Sequence, residues 1–173
     1  DAATIIMVDS NLQRESLLPS ERAFAYKMKL DAMKHQGERV DLTSSQVGTK
    51  LRADEKVAKD SGESRNQVQR FVRLTNLVPE LLDMVDEKKI SFNPAVELSY
   101  LTKEEQASLH EAMESEDCTP SLAQAIKIKK FSQEGRLNGD VILSILSEEK
   151  PNQREVYRLP KERIDKYFPK GTP

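Results

Sequence analysis

The sequence predicts an all-α protein assembled from many short helices. Three observations lead there. Hydrophobic residues make up 37% of the 173-residue chain and charged residues 32%, with Gly scarce and Leu and Ala plentiful. That balance favours helices with narrow apolar stripes over a thick sheet core. Prolines and capping residues divide the chain into segments of helical length. Only residues 4–8 (TIIMV) have a strand pattern, and a helix truncated at its start fits them equally well.

The segments follow in order. Pro19 stands where a first helical residue would, and Gly37 where a residue just past a helix end would. Between them Phe24, Met28 and Ala32, with Ala25 and Met33, recur at helical spacing. Residues 38–52 form a polar connector with room for a short helix after Ser44. Two short helical segments, about 54–60 and 64–75, flank Ser61-Gly62-Glu63. Pro79 opens a segment with Leu81, Leu82 and Val85, and Pro94 another with Leu98 and Leu101. Thr102 and Glu105 have capping-box spacing ahead of an acidic helix to about Glu116. Thr119-Pro120 starts one more, through Leu122, Ala125, Ile126 and Lys129 to Gly135. Beyond Asn138-Gly139 a short helix has Asp140 as its expected N-cap, and Pro160 opens a last amphipathic stretch with Ile164, Tyr167 and Phe168.

The formal charge of −2 excludes a uniformly basic protein of the histone or ribosomal kind, but a total hides its distribution. Residues 20–77 carry twelve bases against eight acids, residues 78–118 three against eleven, and residues 119–173 eleven against seven. Near-neutrality is therefore the sum of alternating blocks. A single cysteine, Cys118, excludes a disulfide framework and suits a reducing cytosol. No apolar run approaches the roughly 20 residues of a membrane span. The chain begins at Asp1 without a signal-peptide pattern, and it is expected to be a piece of a longer, cytoplasmic protein.

The most informative stretch runs from Asp54 to Arg73, DEKVAKDSGESRNQVQRFVR. Two short helices locked at a steep angle need a small residue at their crossing and a residue able to take positive φ in the turn. Ala58 and Gly62 supply these four positions apart, Val57, Val68 and Phe71 fall at inward-facing offsets, and Ser64 is a natural N-cap. Ser61 and Glu63 depart from the pattern, standing where apolar residues are often found. This is helix-turn-helix spacing; a helical hairpin with a solvated basic face is the competing reading. At about 100° per residue, Val68, Phe71 and Val72 cluster on one side of the second helix, and Asn66, Gln69, Arg70 and Arg73 on the other. Arg, Asn and Gln are the side chains that read guanine and adenine edges in the major groove. Arg65, Asn66, Gln67, Gln69 and Arg70 are the candidate base readers; Lys50, Arg52, Lys56, Lys59 and Arg73 are candidate phosphate contacts.

A second motif stands near the N-terminus: Asn11-Leu12-Gln13-Arg14-Glu15, then Leu17-Leu18-Pro19-Ser20-Glu21-Arg22-Ala23. Followed in order by VAKDSGESRNQVQRFVRL and LVPELLDMVDEKKISFNPAVELSYLT, it resembles the ParB/RepB partition-protein family over about residues 5–130. In the last stretch Ala95 matches the family's alanine, and Lys89 holds the place usually taken by Gly. The resemblance implies a remnant of a nucleotide-binding domain at 1–18, a ParB/KorB-like helix-turn-helix DNA-binding domain at 19–135, and a small helical C-terminal extension at 136–173. Members of the family are bacterial centromere-binding proteins that load on palindromic sites and act with a ParA-type ATPase. The better-studied ones bind and hydrolyse CTP with Mg²⁺ through three N-terminal motifs.

Only the third of those motifs stands in this chain. Asn11 matches the asparagine associated with metal and phosphates and Arg14 matches the arginine, while Ser10 replaces the usual glutamate. The upstream arginine-rich box is missing; Gly37-Glu38-Arg39 mimics it but lies after the asparagine motif. The chain is therefore expected to hold no cofactor and to lack CTPase activity, CTP and Mg²⁺ belonging to the full-length protein. Its expected partners are double-stranded DNA, a second copy in a homodimer, and a ParA-type ATPase through regions outside this chain. No membrane partner is expected, and the location is nucleoid-associated. A helix-turn-helix transcriptional or plasmid-copy regulator is the alternative; a CTP hydrolase is the third reading.

The remaining residues point to no other chemistry. His35 and His110 lie far apart in sequence and make no metal-ligand set with one cysteine. The acids Glu104, Glu105, Glu111, Glu114, Glu116 and Asp117 are expected to form a solvated face, the alternative being a docking face for a basic partner or a face that repels DNA. Lys127, Lys129 and Lys130 either touch a DNA backbone or flank a helix end. Leu143, Ile145 and Leu146 are expected in core or dimer packing.

Overall fold

Residues 4–8 are helical, resolving the ambiguity of TIIMV: they lie inside α1 (Ala2–Leu12), whose Val8 is buried against the next helix. The computed structural model describes residues 2–12, 17–40 and 53–148, the side chains of residues 2, 11 and 34–40 excepted. Every regular element among the described residues is an α-helix. After α1 come α2 (Pro19–Val40), α3 (Ala53–Ser61), α4 (Arg65–Leu74), α5 (Pro79–Asp86), α6 (Phe92–Leu98), α7 (Lys103–Ser115), α8 (Leu122–Gln133) and α9 (Gly139–Leu146). Helix α2 is the hub, packing on α1, α3, α4 and α5, while α6 to α9 pack onto one another behind α4 and α5.

Helix α2 differs from its sequence pattern twice. It runs through Gly37 to Val40, because a glycine costs about 1 kcal/mol inside a helix without itself ending it. Its buried face is Ala23, Tyr26, Lys29 and Leu30, whereas Phe24 and Met28 are 47% and 44% exposed. Both stripes have helical spacing, and the crossing of α3 and α4 selects the first. Phe24 and Met28 instead line a shallow groove with Met7, Leu17 and Ala25.

Lys29 is the buried cation of this hub, 1% exposed. Its ammonium donates to Asp9 of α1 at 2.7 Å and to Asp60 of α3 at 3.0 Å, joining three helices. Burial alone would lower the lysine's pKa, but hydrogen bonds and charges from both carboxylates outweigh it and hold the value above the ordinary 10.5. The folded chain thus grips the proton more tightly than the unfolded one. This stabilisation is complete below the ordinary lysine value and is lost as pH rises through the raised one. Lys29→Met should flatten the loss of melting temperature in that alkaline range; an unchanged slope counts against the ion triad as its source.

The later helices are fixed largely by caps. Thr102 and Glu105 close a capping box at the start of α7, as their spacing predicts. Helix α8 begins after Ser121 rather than at Thr119-Pro120, because Ser121 and Gln124 form a second box there. The N-cap of α9 is Asn138, whose side chain takes the Val141 N–H at 2.9 Å. Asp140 sits inside that helix's first turn instead, where its charge still favours the helix N-terminus. The left-handed residue after α5 is Lys88 (φ 61°), so the glycine-like position is Lys88 and not Lys89. Glu104, Glu111, Glu114, Glu116 and Asp117 are exposed, while Glu105 is held by its capping box and by Ser132.

Helix α9 is built into the same core. Ile142, Ile145 and Leu146 are buried on α7 and α8, with Leu143 partly covered, and the Gln124 amide donates to the Ile145 carbonyl at 2.8 Å. The expected short helix after Ser44 and the stretch around Ile164, Tyr167 and Phe168 lie outside the described residues.

Candidate nucleic-acid interface

Helices α3 and α4 are joined by a three-residue turn whose geometry the sequence dictates. Gly62 has φ of +68°, and no atom lies within 4 Å of the place a side-chain methyl would take, so the requirement there is conformational and not spatial. The Glu63 N–H bonds the Ala58 carbonyl at 3.0 Å and the Gly62 N–H the Lys59 carbonyl at 3.4 Å, the paired bonds of a Schellman ending. Ser64 then caps α4, accepting the Gln67 N–H at 3.2 Å. The two departures from the apolar pattern are explained by their partners. Ser61 turns its hydroxyl back to the Val57 carbonyl at 2.7 Å, and Glu63 meets Arg22 of α2 at 3.5 Å.

Val57 and Ala58 of α3 and Val68, Phe71 and Leu74 of α4 are buried. Phe71 anchors the second helix: its ring lies 5.8 Å from that of Tyr26 and 4.7 Å from that of Phe92, with the Arg22 guanidinium 5.4 Å away. With one face of α4 held so firmly, the opposite face must turn outward.

The candidate base readers divide into two groups there. Arg65, Asn66 and Gln69 are exposed and Gln67 is half-buried. The Arg65 Nε donates to Asp54 Oδ2 at 2.6 Å, and the Gln69 Nε2 donates to the same oxygen at 3.2 Å. Arg70 is half-buried and leans away, bonding the Asn93 side chain with its guanidinium 5.1 Å from the Phe92 ring. Arg73, expected on phosphate, is half-buried with its guanidinium 3.6 Å from the centre of the Tyr100 ring, and its Nε is buried without a hydrogen-bond partner among the described residues. The polar face drawn by helical projection is thus split, because α6 and the turn after it supply Phe92, Asn93 and Tyr100 to the last two arginines.

Of the candidate phosphate contacts, Lys56 and Lys59 are exposed on α3; Lys50 and Arg52 lie outside the described residues. Asn11 belongs to α1, but its side chain and all of Arg14 also lie outside them. In the α8 cluster, Lys129 sits 3.9 Å from the Tyr100 ring and 2.8 Å from Glu97, Lys127 pairs with Glu148, and Lys130 is 3.9 Å from Glu134. Among the described residues no group of three or more His, Cys, Asp or Glu is placed to hold a metal ion, and His110 lies 3.9 Å from Glu114.

Sequence reasoning missed Asp54 and Tyr100. Asp54 reads in sequence as an ordinary acid in a helix's first turn, and Tyr100 belongs to no periodic stripe. Only the crossing of helices brings them to the arginines. Among the described residues no helix is long and apolar enough to cross a membrane. Residues 46–127 match the family model described as the ParB HTH domain. No curated protein matches the chain.

Proposed function

Because residues 46–127 are a ParB-type helix-turn-helix domain, we propose that this chain reads a palindromic, centromere-like DNA site with α4 in the major groove. The observation that carries this reading is the exposure of Arg65, Asn66 and Gln69 on the first turns of a helix whose other face is locked by Val68, Phe71 and Leu74. Recognition helices contact base edges with their N-terminal residues. Gln67 flanks that face, Arg70 and Arg73 lie toward its far end, and Lys56 and Lys59 stand on α3 to neutralise phosphates. A palindrome calls for two copies of the chain, so the working unit is a homodimer associated with the nucleoid, and a ParA-type ATPase is engaged through regions outside these residues.

The segment is proposed to bind without catalysing. The cleft between α1, α2 and α3 is lined by Asp9, Asp60 and Glu63, with Arg22 as its one lining cation. Arg22 is already paired with Glu63 and Lys29 is taken up by Asp9 and Asp60, so no described cation there is left over for a polyphosphate. CTP and Mg²⁺ are assigned to the full-length protein. CTP turnover by these residues alone would overturn that assignment.

Selection from a randomised DNA library, followed by fluorescence titration on the enriched site, tests the DNA reading. Arg65→Ala or Gln69→Ala should each cost about 1–3 kcal/mol on the enriched site and relax preference at one position. Lys56→Ala should weaken all sequences alike and lower the salt slope by about one. Failure of both kinds of substitution to change specific binding would remove α4 as the reading helix.

A further inference from the structure

A carboxylate is an unwelcome group on a surface that meets a polyanion, yet Asp54 stands between the two helices of the motif. It is 6% exposed in the first turn of α3, and its Oδ1 takes the Glu55 N–H at 3.1 Å. Its Oδ2 takes two side-chain donors from α4, Arg65 Nε at 2.6 Å and Gln69 Nε2 at 3.2 Å. Arg65 and Gln69 are one helical turn apart, so both end on a single oxygen reached from the neighbouring helix.

We propose that Asp54 is a specificity-determining positioning residue, fixing which atoms Arg65 and Gln69 present to the bases before DNA arrives. An ionised carboxylate only accepts hydrogen bonds, so each partner must turn a donor toward it. For Arg65 that donor is Nε, which leaves the two terminal amino groups as the fork for guanine O6 and N7. For Gln69 the constraint is stronger. Its amide is held with Nε2 against Asp54, so Oε1 is the end turned away. A glutamine that leads with its oxygen matches an exocyclic amino group, as on adenine or cytosine, and not the O6 of guanine or O4 of thymine. Asp54 also balances one positive charge at the centre of the face, which limits the sequence-independent attraction that competes with reading.

This inference rests on the DNA reading above, and its test separates the two. Library selection and titration against enriched and unrelated duplexes are run on the wild type, Asp54→Asn, Arg65→Ala/Gln69→Ala, and the triple variant. An asparagine keeps the shape but offers an amide that Gln69 can meet in either orientation. The expected result for Asp54→Asn is broadened preference at the Gln69 position from adenine or cytosine to all bases. The ratio of specific to unrelated binding should fall about tenfold, while affinity for unrelated duplex holds or rises. In the triple variant the same substitution should lower that ratio no further. A role in folding alone would instead weaken both duplexes together, with or without Arg65 and Gln69, and that outcome overturns the proposal. An unchanged preference and ratio in Asp54→Asn overturns it too, with the DNA reading intact. No enriched sequence for the wild type overturns both. Asp54→Ser, whose hydroxyl also suits the start of a helix, makes the same comparison if Asp54→Asn does not fold.

Discussion

Phe71→Ala should cost about 3–5 kcal/mol of folding stability, the range for removing a buried aromatic ring. The ring is 8% exposed and packed between Tyr26 of α2 and Phe92 of α6. Nothing nearby can close the space, because those neighbours belong to different helices with fixed crossings. The loss is local in consequence as well as global in energy. Without this anchor α4 loses its ring contact with Tyr26 of α2 and with Phe92 of α6, and the angle that turns Arg65 and Gln69 outward rests on Val68 and Leu74 alone. Urea denaturation should show a lower midpoint with an unchanged slope. A loss below about 1 kcal/mol, the ordinary effect of a point substitution, would mean the aromatic cluster is not what holds the motif.

Gln106→Leu should cost about 2–6 kcal/mol for a different reason, the desolvation penalty of two stranded backbone groups at about 1–3 kcal/mol each. Gln106 is fully buried in α7. Its oxygen accepts the Val78 N–H at 2.7 Å, and its nitrogen donates to the carbonyls of Asn76 at 3.1 Å and Leu101 at 3.0 Å. Asn76 keeps a bond from Lys103 at 2.7 Å, but the other two groups are left without Gln106. A leucine fills nearly the same space, so the lost stability isolates the polar contribution from packing. Amide exchange at Val78 should accelerate in step with the fall in melting temperature. A variant as stable as the wild type would show that these backbone groups find water instead.

What the sequence could and could not disclose follows from the range of the interactions. Gly62, Ser64 and the pair Thr102 and Glu105 act within four residues of themselves, so their spacing alone announces the turn and both caps. Val57, Ala58, Val68 and Phe71 are legible because a steep helix crossing demands their size at fixed offsets. Helix α2 resisted for a tertiary reason: Ala23, Tyr26 and Leu30 compete with Phe24 and Met28, and only its neighbours decide which stripe is covered. The binding face resisted in the same way. Arg70 and Arg73 project from the polar side of α4, yet Phe92 and Tyr100, distant in sequence, draw them aside. Gln106 and Gln124 look like ordinary surface amides until the carbonyls they satisfy are seen.

Among the described residues, the arginines of this motif and its supporting helix are occupied before any partner arrives. Arg22 lies near Phe71 and Glu63, Arg65 on Asp54, Arg70 on Phe92 and Asn93, and Arg73 on Tyr100. A long side chain immobilised on association costs about 0.5–1.5 kcal/mol in lost rotamer freedom. For these four arginines that entropy is surrendered when the chain folds, so the motif meets DNA with them already held in place. Docking then draws on released counterions with little erosion from ordering. Sequences that fit and sequences that do not should be approached at similar speed, and differ chiefly in how long they are held.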